Sequence, residues 1–189
     1  MHNPVLQAIH NRRSIRAYAK EQITDEALHE IIAAGQAAPS ARNTQPWHFT
    51  AVQDTSLIER VNRAMQKEAV KVLPLDTLKS IAVPSYSVFY RAPTVIFLSC
   101  PPLEEMQYAQ TDAGIAIQNM ALAAHALGLG SVILGMPRFA FLGEEAEALR
   151  RELNFPQGYD FCLALAVGMA AMEKEAHPIL EDRVTILKG

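Results

Sequence analysis

The sequence predicts an α/β or α+β sandwich, a mixed sheet flanked by helices. Two observations lead there. Thr94-Val95-Ile96-Phe97-Leu98-Ser99-Cys100 and Phe161-Cys162-Leu163-Ala164-Leu165-Ala166-Val167 are almost unbroken apolar runs, the pattern of strands buried on both faces. Around them, apolar residues recur at the helical period near residues 24–37, 55–65 and 107–127. Strands interleaved with amphipathic helices bury both sets of apolar faces when the helices cover a sheet. A chain of 189 residues suits one substantial core, so a single domain over residues 1–189 is expected.

Pro4 to His10 reads as a short helix, with proline in its first turn and Val5, Leu6 and Ile9 on one face. Its C-terminal end delivers a basic stretch, Asn11–Arg16, where helix carbonyls favour cations. Thr24 is a candidate N-cap with Asp25 and Glu26 in the first turn, and that helix runs to about Ala37, where Pro39 ends it. A polar loop then feeds a strand over Trp47–Gln53, with Phe49 and Ala51 inward. Thr55 or Ser56 can cap a helix striped by Leu57, Ile58, Val61 and Met65. Residues 73–92 fit either a mobile lid or a packed irregular connection. After the strand over 94–100, Gln107–Leu127 forms the longest helix, apolar around much of its circumference, with Gly128 as its C-cap. Its small residues suit a core helix and also a contact across a dimer axis. Ser131–Leu134 reads as a short strand, Gly135-Met136-Pro137 as a turn and Glu144–Leu153 as a surface helix. The second doubly buried strand lies within Tyr159–Gly168, and Val184–Leu187 can form a closing edge strand.

Composition excludes several classes. A net charge of −3 argues against a nucleic-acid partner, whose binders carry a basic surplus. Apolar runs such as 114–127 are too short and too interrupted to span a bilayer. The N-terminal residues lack the basic and apolar regions of a signal peptide, so a soluble, cytoplasmic protein with no membrane partner is expected. Cys100 and Cys162 stand far apart without metal-binding spacing, and two reduced thiols buried on strands are the simplest reading.

Two polar signatures stand out. Arg12-Arg13-Ser14-Ile15-Arg16 places three guanidiniums and a hydroxyl within five residues, which suits a phosphate because arginine offers charged planar donor forks. Alone, such a cluster is more often a solvated surface turn. The second is Pro39-Ser40-Ala41-Arg42-Asn43-Thr44-Gln45-Pro46-Trp47, and a third segment, Asn119–Gly130, follows in the long helix and its exit. Gly128-Leu129-Gly130 follows a helix rather than a strand, so it is not a dinucleotide fingerprint.

In their order and spacing these segments resemble the FMN-dependent nitroreductase family. The resemblance implies a nitroreductase-like fold whose C-terminal strand is exchanged across a homodimer, with FMN in the interface. It implies that Arg12 binds the phosphate, that Arg13 and Ser14 hold the phosphate and ribityl region, and that Arg16 lies near flavin N1. A cation there would stabilise charge developing on reduction. Pro39, Ser40, Ala41 and Asn43, from the other subunit, would line the ring. Gln45 reads equally as a ligand contact and as an amide that satisfies backbone groups. Ile133-Leu134-Gly135 would present main-chain donors to flavin N5. Lys174 and His177 best match the basic C-terminal segment that relatives place against the phosphate. The implied activity takes hydride from NAD(P)H and passes it, by a ping-pong route, to a small-molecule acceptor such as a nitroaromatic or quinone. No side chain need act as acid or base. Reductive dehalogenation, flavin-consuming chemistry and a non-catalytic flavin-binding role remain alternatives on the same fold.

Overall fold

A computed structural model describes residues 3–178 and 180–189. Its centre is a four-stranded sheet of β1 (His48–Val52), β2 (Thr94–Cys100), β3 (Gly130–Leu134) and β4 (Asp160–Gly168), in the order β1-β2-β4-β3. All three pairings are antiparallel. Among the described residues, the expected mixed character enters only through an isolated parallel bridge between Ser14 and Ser131 at the sheet edge. The two long apolar runs are the two central strands, and β2 is buried along its whole length.

One face of the sheet is covered by α2 (Asp25–Gln36) and α5 (Ala109–Ala126), and the other by α3 (Thr55–Ala69), α6 (Ala146–Glu152) and the 3-10 turn Met136–Phe141. Strand alternation divides the cores: Val95 and Phe97 join the α3 side, Ile96 and Leu98 the α5 side. Complete burial of a side chain such as Phe97 contributes about 1.5–3 kcal/mol. α2 and α5 come close because Gly35 has no side chain; a Cβ there would stand 2.7 Å from Met120 Cγ.

Most elements begin as their sequences dictate. Asn3 Oδ1 accepts the N–H groups of Val5 and Leu6 to cap α1 (Pro4–Asn11), and Thr24 Oγ1 accepts that of Ala27 in α2. For α3 the cap precedes both expected hydroxyls, by one residue and by two: Asp54 Oδ1 accepts from Ser56 N at 2.8 Å. A carboxylate serves better than a hydroxyl at the positive end of a helix. In β1, Ala51 faces solvent rather than the core, and Val52 is the buried residue. Cys100 is buried and Cys162 half-buried, both as free thiols on adjacent strands.

Two expectations change. The alanine stripe of α5, with Ala113, Ala116, Ala121 and Ala124, is consumed by packing inside the chain. The exposed residues of α5 are Gln110, Thr111, Ile115 and Ala126, followed by Leu127 at its C-cap. Val184–Leu187 forms no strand within the chain, and Leu187 is 92% exposed.

Residues 73–92 hold a short helix, α4 (Leu75–Ile81), followed by turns, and form a packed connection. Ile81, Val88 and Phe89 are buried, with Phe89 edge-on to Phe97 at 5.6 Å. Buried Asn62 of α3 fastens the turns: its amide donates to Tyr86 O at 3.0 Å and its oxygen accepts from Val88 N at 2.9 Å. Gln66, one turn on, donates to Ile81 O at 2.7 Å. Replacing Asn62 by leucine orphans two main-chain groups at once. Asn62→Leu should therefore lower unfolding stability by roughly 2–4 kcal/mol, read from urea denaturation of the purified protein.

Candidate functional site

The basic segment begins where α1 ends. Arg13 Nη1 donates to His10 O at 2.7 Å and to Arg12 O at 2.8 Å, so one guanidinium edge closes the helix. The chain then docks on the free edge of β3, with Ile15 N donating to Ser131 O at 2.9 Å. Ile15 is buried beneath it. Tyr18 secures the far end: its hydroxyl donates to Ile15 O at 2.7 Å and reaches Ala166 O at 3.3 Å. Burial, with the neighbouring Tyr90 adding to it and Arg16 opposing, holds the Tyr18 hydroxyl well above its ordinary pKa, so it remains a donor.

The same segment captures the C-terminal end of the chain. Ala19 N donates to Met169 O at 3.0 Å and Ala171 N to Ala17 O at 2.9 Å, which lays residues 169–171 beside 17–19. Lys174 and His177 are thereby brought to the arginines. With Arg12, Arg13, Ser14, Glu175 and Ala176 they line a cavity of about 260 Å³. An adjoining cavity of about 390 Å³ shares Arg12, Arg13 and Lys174 and reaches inward to His125, Gly128 and Ser131. Among the described residues, the ion pairs engage Arg60, Arg63, Lys67, Lys71, Lys79, Arg150 and Arg183. None engages Arg12, Arg13, Arg16, Lys174 or His177. Arg16 stands to one side, its guanidinium 5.8 Å from the Tyr90 ring centroid.

Ile133, Leu134 and Gly135 continue along β3 from the docking point. At about 3.3 Å per residue, Gly135 is roughly 13 Å from Ser131. Leu134 turns its side chain into the core, so only its main chain faces outward chemistry. A cavity of about 680 Å³ between α3 and Arg91 is larger, yet it contains none of these residues, and its Arg63 is paired with Glu59 at 3.8 Å.

The second signature lies elsewhere. Arg42, Asn43 and Gln45 all have positive φ (53°, 56° and 46°), an unusual density of left-handed backbone for residues with side chains. The loop is held by its own polar groups: Gln45 N donates to Ser40 Oγ at 2.9 Å, and Gln45 Nε2 to Asn43 Oδ1 at 3.0 Å. Asp112, buried in the first turn of α5, accepts the Ala41 N–H at 3.1 Å. Pro39, Asn43 and Gln45 are exposed, while Ser40 and Ala41 are half-buried. Asp112 and His125, one beside each signature, stand thirteen residues apart on α5, about 20 Å along its axis. The structure thus unites Arg12, Arg13, Ser14, Lys174 and His177, and it does not bring Pro39–Gln45 to them within one chain.

Sequence reasoning missed Asp112, His125, Ser131 and Tyr90. A carboxylate in the first turn of an otherwise apolar helix was a usable signal for Asp112. Nothing local marked the other three, which depend on the chain folding back.

The chain matches the model of the Nitroreductase family over residues 9–169. A protein of Archaeoglobus fulgidus, provisionally named an NADH dehydrogenase/NAD(P)H nitroreductase, is 32% identical over 90% of this chain and 87% of its own. A nitroreductase with bound FMN from Desulfitobacterium hafniense superposes with a TM-score of 0.92, at 30% identity and over 100% of both chains. Another with bound FMN, from Bacteroides fragilis, gives 0.91 at 30% identity over 99% of this chain and 100% of that one. The fold, the unpaired basic cluster against the edge of β3 and these likenesses agree: the chain belongs to the Nitroreductase family.

Proposed function

We propose that this protein is an FMN-dependent oxidoreductase that draws reducing equivalents from NAD(P)H and delivers them, in two separate half-reactions, to a nitroaromatic, quinone or similar electron-poor acceptor. The carrying observation is that Arg12 and Lys174, cations without an ion-pair partner, gather with Arg13, Ser14 and His177 around one cavity on a chain of net charge −3. Such a set costs electrostatic self-repulsion unless an anion neutralises it. The residues fit FMN in kind: cations and a hydroxyl for the phosphate, and a strand end with free main chain for the ring edge. When bound, FMN supplies the reversible two-electron chemistry that links donor to acceptor.

The side chains orient and tune. Arg12, Arg13, Ser14, Lys174 and His177 hold the phosphate. Arg16, beyond them and free of any carboxylate, supplies positive charge to the pyrimidine end of the ring, and Ile133, Leu134 and Gly135 offer main-chain groups at its edge. Protons can come from solvent. Within residues 73–92, Ile81, Val88 and Phe89 are buried and anchored to the core, which supports a packed connection there.

A homodimer completes the site in this reading, with the partner's Pro39, Ser40, Ala41, Asn43 and Gln45 closing over the ring. Two features support it. The loop stands about 20 Å from the phosphate cluster of its own chain. Moreover, Val5, Leu6 and Ile9 of α1, Ile115 of α5, and Val184, Ile186 and Leu187 are exposed large apolar residues, which a subunit interface would cover. In this reading the terminal residues add an exchanged strand to the partner's sheet.

Three measurements test these assignments. Purified protein should be yellow and release FMN on heating, and Arg12→Ala should weaken FMN binding about tenfold to a hundredfold by fluorescence titration. A colourless wild-type protein that takes up no FMN from solution overturns the reading. Arg16→Ala should lower the flavin midpoint potential by on the order of 30 mV, for a lost interaction of about 1.4 kcal/mol; an unchanged potential places Arg16 elsewhere. Finally, inactive Arg12→Ala and Asn43→Ala chains, refolded together, should regain activity, because one site of each mixed dimer then carries neither lesion. No recovery on mixing, with mixed dimers present, would show that each site belongs to one chain.

A further inference from the structure

Arg91 stands on a strained turn. Tyr90 and Arg91 both have positive φ (54° and 56°), a conformation that residues with side chains rarely adopt and that recurs at ligand sites. Phe89 and Ala92, both buried, fix the turn from below. Ser87 holds it from the side: its carbonyl accepts the Tyr90 N–H at 3.0 Å and its hydroxyl the Arg91 N–H at 3.3 Å. The side chain of Arg91 is exposed and lines the cavity of about 680 Å³, together with Lys20, Arg63 and Glu59. Three cations thus share the cavity with one carboxylate. Among the described residues no ion pair engages Lys20 or Arg91. The floor is apolar, formed by buried Ile58, Ala92 and Pro93. An apolar floor with a few polar groups, in a volume of this order, is the form of a small-molecule site. The cavity shares no residue with the two that hold Arg12 and Lys174, and none of its residues is among the apolar ones that a subunit interface would cover. It nevertheless borders the flavin site, because Arg91 directly follows Tyr90, whose ring centroid is 5.8 Å from the Arg16 guanidinium.

We propose that this cavity receives the adenosine half of NADPH, with Lys20 and Arg91 binding its 2′-phosphate, and that it thereby selects NADPH over NADH as the electron donor. The inference rests on the FMN reading above and names the donor for it. A phosphate monoester carries a charge of about −1.5 to −2 near neutral pH, so unpaired cations recognise it strongly. NADH has a ribose hydroxyl at that position and offers the cations no charge. The apolar floor suits the adenine ring, which the two donors share, so the floor supports binding and the cations supply the discrimination. Glu59 opposes the phosphate and partly occupies Arg63, at 3.8 Å.

Steady-state kinetics of the FMN-loaded protein with each donor test this. Wild type should favour NADPH in kcat/KM by about tenfold or more. Lys20→Ala and Arg91→Ala should each raise the KM for NADPH about tenfold and leave kcat, the KM for NADH and the affinity for FMN within about twofold. Glu59→Gln removes the opposing charge and should lower the KM for NADPH by about twofold at low salt, a gain that a merely structural residue would not give. 2′,5′-ADP should compete with NADPH in wild type far better than 5′-AMP does, and the two should become alike in the Lys20 and Arg91 variants. Lys20→Gln repeats the measurement if either alanine variant is poorly made. A wild type that uses NADH as well as NADPH, variants that lose both donors equally, or variants that lose FMN affinity instead overturn the proposal and leave the FMN reading intact. A wild-type protein that takes up no FMN removes the FMN reading, and calorimetric titration of that protein with 2′,5′-ADP still decides the cavity: binding that Lys20→Ala abolishes supports the assignment of its cations, and no binding overturns it.

Discussion

The hydrogen bond from Ile15 N–H to Ser131 O is the interaction on which the site depends. It ties the basic segment to the free edge of β3, and an unpaired strand edge is always a place where another backbone can add. Once Ile15 is fixed, its neighbours Ser14 and Arg16 are directed away from the core, and Arg12 and Arg13 are held at the end of α1. The pairing of residues 17 and 19 with 169 and 171 follows from the same docking. A residue near position 174 reaches a residue near position 12 only because both flank one backbone bridge.

The rest of the fold serves this edge by making it rigid. β2 along its whole length and the second half of β4 are buried on both faces, so the sheet has little freedom to bend, and β3 is paired along its whole length to β4. The cations crowd against this rigid edge without a carboxylate among their partners. Glu175 lines the same cavity but pairs with none of them, in contrast to Glu145 and Glu152, which both meet the Arg60 guanidinium. The contrast separates cations used for stability from cations kept for a ligand. A basic cluster that the fold could have neutralised, and did not, points to an external anion.

The strained loop at Ser40–Gln45 follows a different logic. Its left-handed residues are held by Asp112 and by hydrogen bonds among its own side chains, so it keeps its shape without a ligand. A preformed loop loses little entropy when something docks against it. Gln45 illustrates this: its main-chain N–H is held by Ser40 Oγ and its side-chain amide donates to Asn43 Oδ1, so its polar groups fix the shape of the loop itself.

The sequence by itself determined the elements, because caps, periodicity and doubly apolar runs are local signals. Thr24, Pro39 and the runs at 94–100 and 161–167 act within a few residues of where they stand, and the two polar signatures were visible for the same reason. It could not settle what competes between neighbours, such as whether Asp54 or the following hydroxyls would cap α3. Only the tertiary structure decided the rest. The alanine face of α5 was free to serve a partner until α2, with Gly35, claimed it. Residues 73–92 were ambiguous until Asn62, some twenty-five positions away, fastened them. Lys174 and His177 joined the arginines, and Ser131 lost its access to water, because one long-range bridge brought the ends of the chain together. These outcomes turn on contacts between residues distant in sequence, whose energies no local window contains.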